Sequence, residues 1–123
     1  MGLSLFAETI KGSIYSADIC THEGALEKPE ELGKLTAARL LEEVDLGGVV
    51  DTSHQFIPLL MMSLADEIKP SKVLLGRLTP YTTQLLRDVK HFLGVKFRFE
   101  QSPDGVLCSC VGIGRRNLAR RTF

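Results

Sequence analysis

Tyr81 stands where a helix is expected to begin, among residue types that suit a phosphate group. A strand-like run, KVLLGRL at 72–78, leads into Thr79 and Pro80, and a helical pattern follows. A threonine hydroxyl can cap a helix, and proline suits the first helical position because it has no N–H to leave unpaired. The remaining N–H groups and the positive end of the helix dipole favour an anion. The stretch therefore predicts a phosphate-friendly helix start that carries a tyrosine.

The hydroxyl of Tyr81 is a candidate nucleophile only if its surroundings activate it. A phenol keeps its proton at pH 7, so attack requires a neighbouring base, a metal ion or a perturbed environment. No histidine or lysine is adjacent to Tyr81 in the sequence. The alternative is a ring that packs against its neighbours and leaves its hydroxyl in water, and the residue types fit that alternative equally well.

A second cluster that could bind phosphate lies near the end of the chain. The run RRNLARR contains Arg115, Arg116, Arg120 and Arg121. Fifteen basic and fifteen acidic residues cancel over the whole chain, so any preference for nucleic acid has to come from such local clustering. Guanidinium groups bind phosphates and carboxylates in two-pronged geometry, which makes RNA or an acidic partner a candidate ligand. A solvated, frayed terminus is the alternative that the pattern leaves open.

The histidines and cysteines show no pattern of a metal or redox site. They are His22, His54, His91, Cys20, Cys108 and Cys110. The histidines are spread over a loop, a helix start and a helix end, without the spacing of metal ligands. Cys108 and Cys110 share one face of a predicted strand, where free cysteines pack as small hydrophobes, and an odd cysteine count suggests reduced thiols. The glycine pair at 112 and 114 lacks the rest of a dinucleotide fingerprint. We therefore expect no metal and no cofactor.

The order of the predicted elements is typical of an α+β fold, with a mixed sheet that carries helices on one face. The hydrophobic periodicity and the turn signals predict strands at 2–9, 13–20, 72–78, 95–101 and 106–113, and helices at 29–44, 51–65 and 80–93. Asp51, Thr52 and Ser53 are the candidate caps of the second helix. That helix is apolar nearly all round, so we expect it to be buried.

The strand at 95–101 alternates cleanly, which predicts its register. Val95, Phe97 and Phe99 lie on one face, and Lys96 and Arg98 lie on the other. We expect the apolar face to point at a layer formed by all three helices. The sheet under that layer is expected to contain the last three predicted strands.

Length and composition predict one globular domain. The chain has 123 residues, of which 44% are hydrophobic and 24% charged. It contains no run of about 18 apolar residues that would predict a membrane span, and no signal-peptide pattern. Strand-like sequence begins at once, which favours a piece of a longer protein. We predict that residues 1–123 hold the end of one repeat unit, a further unit at about 45–114 and a basic tail at 115–123.

Three short stretches, taken in order, carry a family likeness. They are LLEEVDLGGVVD at 40–51, LLGRLTPYT at 74–82 and VGIG at 111–114. Their order and spacing resemble the C-terminal part of the RNA 3′-terminal phosphate cyclase family, and more closely its non-cyclase branch, the cyclase-like proteins. The resemblance covers nearly the whole chain. It implies an α+β fold built from βαβαββ-type repeat units, and it implies that this chain is the C-terminal fragment of a longer protein.

The resemblance also implies the loss of the cyclase chemistry. The true cyclases attach adenylate to a histidine and pass it to an RNA end, which becomes a 2′,3′-cyclic phosphate. By the resemblance, Tyr81 occupies the position of that histidine. A second cyclase signature, a histidine followed by Asp-Gln, corresponds to Ser53, Phe56 and Ile57. The resemblance therefore implies a cyclase homologue that is not an enzyme, with no catalytic residue and no cofactor.

For the function, the resemblance to the cyclase-like branch implies a non-catalytic ribosome-biogenesis factor. Such a factor acts early in small-subunit pre-rRNA processing, in the nucleus and nucleolus. The implied partners are a ribosome-biogenesis GTPase, the pre-ribosomal particle and pre-rRNA, with no membrane association. Two alternatives stay open, an active RNA 3′-terminal phosphate cyclase that uses ATP and a pre-rRNA endonuclease.

Overall fold

Five strands and three helices make up the part of the chain that the computed structural model describes, residues 2–21 and 28–116. In chain order they are β1 Gly2–Glu8, β2 Ile14–Cys20, α1 Pro29–Leu46, α2 Phe56–Leu64, β3 Pro70–Leu75, α3 Pro80–Leu93, β4 Arg98–Ser102 and β5 Gly105–Val111. This mixture confirms the predicted α+β class. None of the helices in these ranges has the length and apolar character needed to cross a membrane.

The first layer pairs the β1–β2 hairpin with α1. The two strands are antiparallel from the Gly2–Cys20 pair to the Glu8–Ile14 pair, and they turn through Gly12, which has a φ of 84°. Alternate residues of each strand are buried or half-buried, including Ala17 and Ile19. Helix α1 begins at Pro29 and ends at Leu46, with Gly47 as its C-cap, and it packs on both strands.

The second layer is a three-stranded antiparallel sheet in the order β3-β5-β4. Helices α2 and α3 pack against each other, and α2 contacts β3 and β5. The centre of the resulting core consists of Leu59 from α2, Leu75 from β3 and Cys108 from β5, all fully buried. Val89 of α3 and Cys110 of β5 belong to an adjoining cluster. Burial of these side chains stabilises the layer by about 1.5–3 kcal/mol for each large apolar residue.

The partner of α1 differs from the prediction. We expected all three helices on the sheet of the last three strands, but α1 packs on β1 and β2 instead. The periodicity of a helix shows which of its faces is apolar, but not which sheet that face meets. Where one mixed sheet was expected, the strands form two small antiparallel sheets, and among the described residues the parallel pairing is the isolated bridge between Ile14 and Val50.

The segment between α1 and α2 joins the two sheets. Val50 bridges to Ile14 of β2, and Gly48 bridges to Leu75 of β3. Gly48 has a φ of 86°, and a Cβ atom on it would lie 2.3 Å from the backbone nitrogen of Gly76. Only glycine allows the two backbones to approach so closely. The glycine pair that ends α1 therefore also permits the crossing between the layers.

The register predicted for the strand near 95–101 is confirmed for Val95 and Phe97, but Phe99 does not join the helical core. Val95 is buried and Phe97 is half-buried in the helical core, whereas Lys96 and Arg98 are exposed. The strand itself begins later, at Arg98. Phe99 is 47% exposed, because β4 lies at the edge of the sheet.

The start and the burial of α2 differ from the prediction. The helix begins at Phe56, and Asp51, Thr52 and Ser53 lie in a preceding turn rather than at its cap. Short polar side chains stabilise such turns as readily as helix caps, so residue type alone does not separate the two. Leu59 and Met62 are buried as expected, but Ile57 is exposed. The helix is therefore buried on one side only.

Candidate functional site

The start of α3 has the predicted cap but little free capacity for an anion. Thr79 is the N-cap, and its Oγ1 accepts a hydrogen bond from the Thr82 N–H at 3.0 Å. The Thr83 N–H donates to the Thr79 carbonyl at 2.9 Å. Pro80 has no N–H. Of the first three helical residues, only Tyr81 therefore keeps a backbone N–H for a ligand.

Tyr81 lies on the surface against one aromatic neighbour. Its residue is 63% exposed, and its ring meets Phe56 edge to face, with the ring centroids 6.2 Å apart and the planes at 87°. Edge-to-face packing at this distance is a favourable aromatic contact. Within the described ranges, no side chain hydrogen-bonds to the Tyr81 hydroxyl. This geometry matches the packed-ring alternative.

The other positions that the resemblance matches to cyclase signatures do not all contact Tyr81. Phe56 contacts it. Ser53 lines a separate cleft together with Asp18 of β2 and Arg39 of α1, and Ile57 is exposed on α2. Two of the three matched side chains are apolar, so they supply neither a proton acceptor nor a phosphate donor near the tyrosine.

A buried polar relay that the sequence analysis did not single out fixes the two helix starts to each other. Gln55 and Thr82 are fully buried. The Thr82 hydroxyl donates to Gln55 Oε1 at 2.7 Å, and Gln55 Nε2 donates to the Arg77 carbonyl at 3.0 Å. Thr79 Oγ1 lies 2.9 Å from Thr82 Oγ1. The only hint of this relay in the sequence is Gln55 itself, a polar residue directly before a strongly apolar helix.

A second buried polar group ties β2 to the turn before α2. The Asp51 carboxylate, 4% exposed, accepts hydrogen bonds from the backbone N–H and the hydroxyl of Ser16, each at 3.1 Å. It also accepts from the His54 N–H at 3.1 Å and lies 2.8 Å from His54 Nδ1. Burial by itself raises the pKa of Asp51, but these hydrogen bonds and the nearby imidazole outweigh burial and hold the pKa below its ordinary value.

The arginine cluster is described only in part. Arg115 and Arg116 are exposed and line a cleft of about 340 Å³ with Asp66 and Glu67. Residues 112–115 donate backbone N–H groups to the carbonyls of residues 63–66, at 2.8–3.1 Å, around the end of α2. Cations are favourable at the carboxyl end of a helix, so the first two arginines also suit a structural role. Arg120 and Arg121 lie outside the described residues.

The cysteines of β5 are packed in the core as expected. Cys108 and Cys110 are buried free thiols, and Cys20 is an exposed free thiol. Burial, with the neighbouring Cys110 as a smaller cause, raises the pKa of Cys108 to about 12, and burial also raises the pKa of Cys110. A thiol that keeps its proton is a poor nucleophile and a poor metal ligand.

Two of the three histidines lie in the described part of the chain, and they belong to different elements. His54 is held by Asp51, His91 meets the ring of Phe92 edge to face, and His22 lies outside the described residues. In the part of the chain that the structure describes, no three histidine, cysteine or acidic residues come together in a way that could hold a metal ion.

Comparison with known proteins gives a consistent family likeness. The chain is 44% identical over 130 residues to the RNA 3′-terminal phosphate cyclase-like protein of Homo sapiens. This alignment covers 97% of this chain and 35% of the human protein. It is 44% identical over 137 residues to the probable RNA 3′-terminal phosphate cyclase-like protein of Dictyostelium discoideum, which covers 99% of this chain and 37% of that protein.

A relative named for its process is also similar. The chain is 38% identical over 122 residues to the rRNA processing protein rcl1 of Schizosaccharomyces pombe, which covers 97% of this chain and 33% of that protein. No protein-family model matches the chain. The chain spans about a third of the length of the curated relatives that it matches. It is therefore a homologue of the RNA 3′-terminal phosphate cyclase-like proteins over that third of their length.

Proposed function

We propose that this chain belongs to a non-catalytic ribosome-biogenesis factor that acts early in small-subunit pre-rRNA processing, in the nucleus and nucleolus. The likeness to a protein named for rRNA processing supports the process. The geometry of Tyr81 supports the absence of cyclase chemistry. Its ring packs on Phe56, and its hydroxyl contacts no base among the described residues. A phenol without such a base is a poor nucleophile at pH 7.

The proposed partners are pre-rRNA, the pre-ribosomal particle and a ribosome-biogenesis GTPase. A factor without its own chemistry acts by binding, so its surfaces have to carry the function. The start of α3, with the buried relay of Gln55 and Thr82 behind it, is then a rigid structural feature rather than an active site. Cyclase and endonuclease activities are the outcomes that the following experiment is designed to detect.

We expect no covalent adenylate on the full-length protein after incubation with labelled ATP and an RNA that ends in a 3′-phosphate. Intact-protein mass spectrometry and gel autoradiography measure the adduct, and a true RNA cyclase serves as the positive control. The Tyr81→Phe variant keeps the ring contact with Phe56 and removes only the hydroxyl. We expect it to support pre-rRNA processing as well as the unsubstituted protein does.

Four results would contradict this proposal. An adduct on Tyr81 would assign the hydroxyl a catalytic role, and a 2′,3′-cyclic phosphate on the RNA would show an active cyclase. Cleavage of a pre-rRNA substrate by the purified protein would favour the endonuclease alternative. Loss of processing in the Tyr81→Phe variant alone, with normal stability, would show that the hydroxyl is needed.

We further propose that Arg115, Arg116, Arg120 and Arg121 contact RNA or an acidic partner. If RNA is the ligand, their replacement by alanine should flatten the plot of log affinity against log salt by about one unit for each phosphate that is no longer neutralised. Replacement by lysine keeps the charges and should keep the slope. Because Arg115 and Arg116 lie near the end of α2, the Arg120→Ala, Arg121→Ala double variant separates binding from stability. If the quadruple alanine variant shows the same salt slope and still binds its partner, the four arginines form only a solvated tail.

A further inference from the structure

A groove of about 450 Å³ lies between α3 and the edge strand β4. Its floor is apolar and includes Leu86, Phe97 and Phe99. Its charged lining residues are Arg87, Lys90 and Lys96, and none of the described residues that line it is acidic. None of the described residues that line the groove is used by the proposed function.

The sequence builds this groove from two simple periodicities. Thr83, Leu86, Arg87 and Lys90 follow one another at helical spacing, so they form one stripe of α3. Phe97 and Phe99 are two residues apart, so they lie on the same side of the strand. Asp88, the acidic residue of α3, is not in the lining, and its carboxylate accepts a hydrogen bond from Gln84 at 2.8 Å.

The three cations of the groove are free to attract an anion. None of them has a carboxylate within ion-pair distance in the described ranges, and all three are exposed. In a chain with no net charge, three positive charges without a negative one make a distinct local field. Exposed cations in a concave surface raise the local concentration of a polyanion. The groove is therefore complementary in charge to a polyanionic ligand.

The aromatic floor narrows the class of ligand. Phe99 is 47% exposed at the edge of the sheet, so part of its ring is open to a planar group. Sites for single-stranded nucleic acid combine aromatic rings, on which bases stack, with cations that follow the backbone. A double helix keeps its bases stacked on each other and cannot use the ring in this way.

We propose that the groove between α3 and β4 binds single-stranded RNA, with a base stacked on Phe99 and phosphates held by Arg87, Lys90 and Lys96. Arg87 also lines the adjoining cleft at the start of α3, where Arg77 is the other charged lining residue that the structure describes. An RNA strand that leaves the groove toward this cleft would meet Arg77 as a fourth cation. The described lining of the groove does not include Arg115 or Arg116. The site deepens the proposed function, on which it rests for the biological source of the RNA, and oligouridine binding is measured apart from any ribosomal role.

The alternative occupant is an acidic peptide that adds as a strand to the open edge of β4. Such a peptide would use the three cations and the backbone of the strand, but it would leave the exposed ring of Phe99 without a specific partner. The combination of an open aromatic face and unpaired cations favours RNA.

Fluorescence anisotropy with a labelled oligouridine of about 12 nucleotides tests the proposal on the full-length protein. Phe99→Ala should weaken binding about fivefold or more, because it removes the ring on which one base stacks, and Phe99→Tyr should restore it. The Lys90→Ala, Lys96→Ala double variant should flatten the log–log salt dependence by about 0.7 for each phosphate that is no longer neutralised. Arg98→Ala is the matched control, because Arg98 is an exposed cation of β4 that does not line the groove, and its replacement should leave affinity unchanged.

A second measurement locates the RNA directly. Photo-crosslinking of a thiouridine-substituted oligonucleotide, followed by mass spectrometry, should place the adduct on a peptide that contains Phe97 or Phe99. Thermal melts of each variant show whether it folds normally, and all substituted side chains are exposed. The proposal is overturned if the groove variants bind like the unsubstituted protein, if Arg98→Ala weakens binding as much, or if a duplex RNA binds equally well. Binding of an acidic peptide at the groove without any binding of oligouridine would assign the groove to a protein partner.

Discussion

Replacing Asp51 with alanine is expected to lower the free energy of unfolding by at least about 2 kcal/mol, because each buried donor left without an acceptor costs about 1–3 kcal/mol. The carboxylate accepts two hydrogen bonds from Ser16 of β2 and two from His54 in the turn before α2. These residues belong to the two different layers. The substitution removes the shared acceptor and so weakens the connection between the layers. Urea denaturation measures the loss.

Asp18→Ala is the control for Asp51→Ala. Asp18 is exposed on β2, and its replacement should change the free energy of unfolding by no more than about 0.5 kcal/mol. Equal stability of the two variants would contradict the structural role of Asp51. So would normal stability of Asp51→Ala.

The same carboxylate predicts a pH dependence of stability. The pKa of Asp51 in the folded protein lies below its ordinary value of 3.8. A lowered pKa stabilises the folded state wherever the carboxyl is ionised in the unfolded state, and this contribution disappears as pH falls through the lowered pKa. The unsubstituted protein should therefore lose stability below about pH 4, and the loss should be smaller in Asp51→Asn.

Gly112→Ala is expected to destabilise the fold by about 1–3 kcal/mol, the usual cost of an added group in a packed site. A Cβ atom on Gly112 would lie 2.3 Å from the carbonyl oxygen of Ala65 and 2.8 Å from its backbone nitrogen. The atoms that would have to move are backbone. They are also held in place, because Gly112 and Gly114 donate N–H groups to the carbonyls of Asp66 and Ala65. The segment after β5 would have to separate from the end of α2.

Gly33→Ala is the matched control for Gly112→Ala. Gly33 lies inside α1, and a Cβ atom there meets nothing within 4 Å. Alanine in a helix interior is favoured over glycine by about 0.5–1 kcal/mol, so this variant should be stabilised. Both variants add one methyl group to a glycine, and they should shift the urea midpoint of unfolding in opposite directions. A shift of the same sign in both would show that the close approach at Gly112 is not what limits substitution there.

The role of Gly112 shows a limit of sequence reasoning. The sequence alone showed that Gly112 and Gly114 do not belong to a dinucleotide-binding fingerprint, because the other residues of that fingerprint are missing. The positive reason for the first glycine is the backbone of Ala65, 47 positions away, since 112 − 65 = 47. No local sequence pattern predicts that the backbones of these two residues come so close together.

Some features of the candidate site follow from short-range sequence patterns, and others depend on contacts between distant residues. The cap at Thr79, the first-turn proline and the end of α3 at Gly94 follow from short-range chemistry, and all three are confirmed. The resemblance to the cyclase-like proteins rested on short stretches in order, and it is confirmed as well. The relay from Gln55 to Thr82 joins residues 27 apart, and the sequence contains no signal that pairs them.

Local interactions explain what the sequence by itself determined. Helix caps, turn glycines and the alternation of Val95 and Phe97 depend on neighbours within a few residues, so their physical causes are written in the sequence. Tertiary structure alone decided that α1 packs on the β1–β2 hairpin, that Asp51 meets Ser16, and that three cations border an aromatic groove beside β4. Each of these depends on which apolar faces meet when the chain closes on itself. Hydrophobic burial drives that choice, but it is not directional, so many partners satisfy the same pattern until packing selects one.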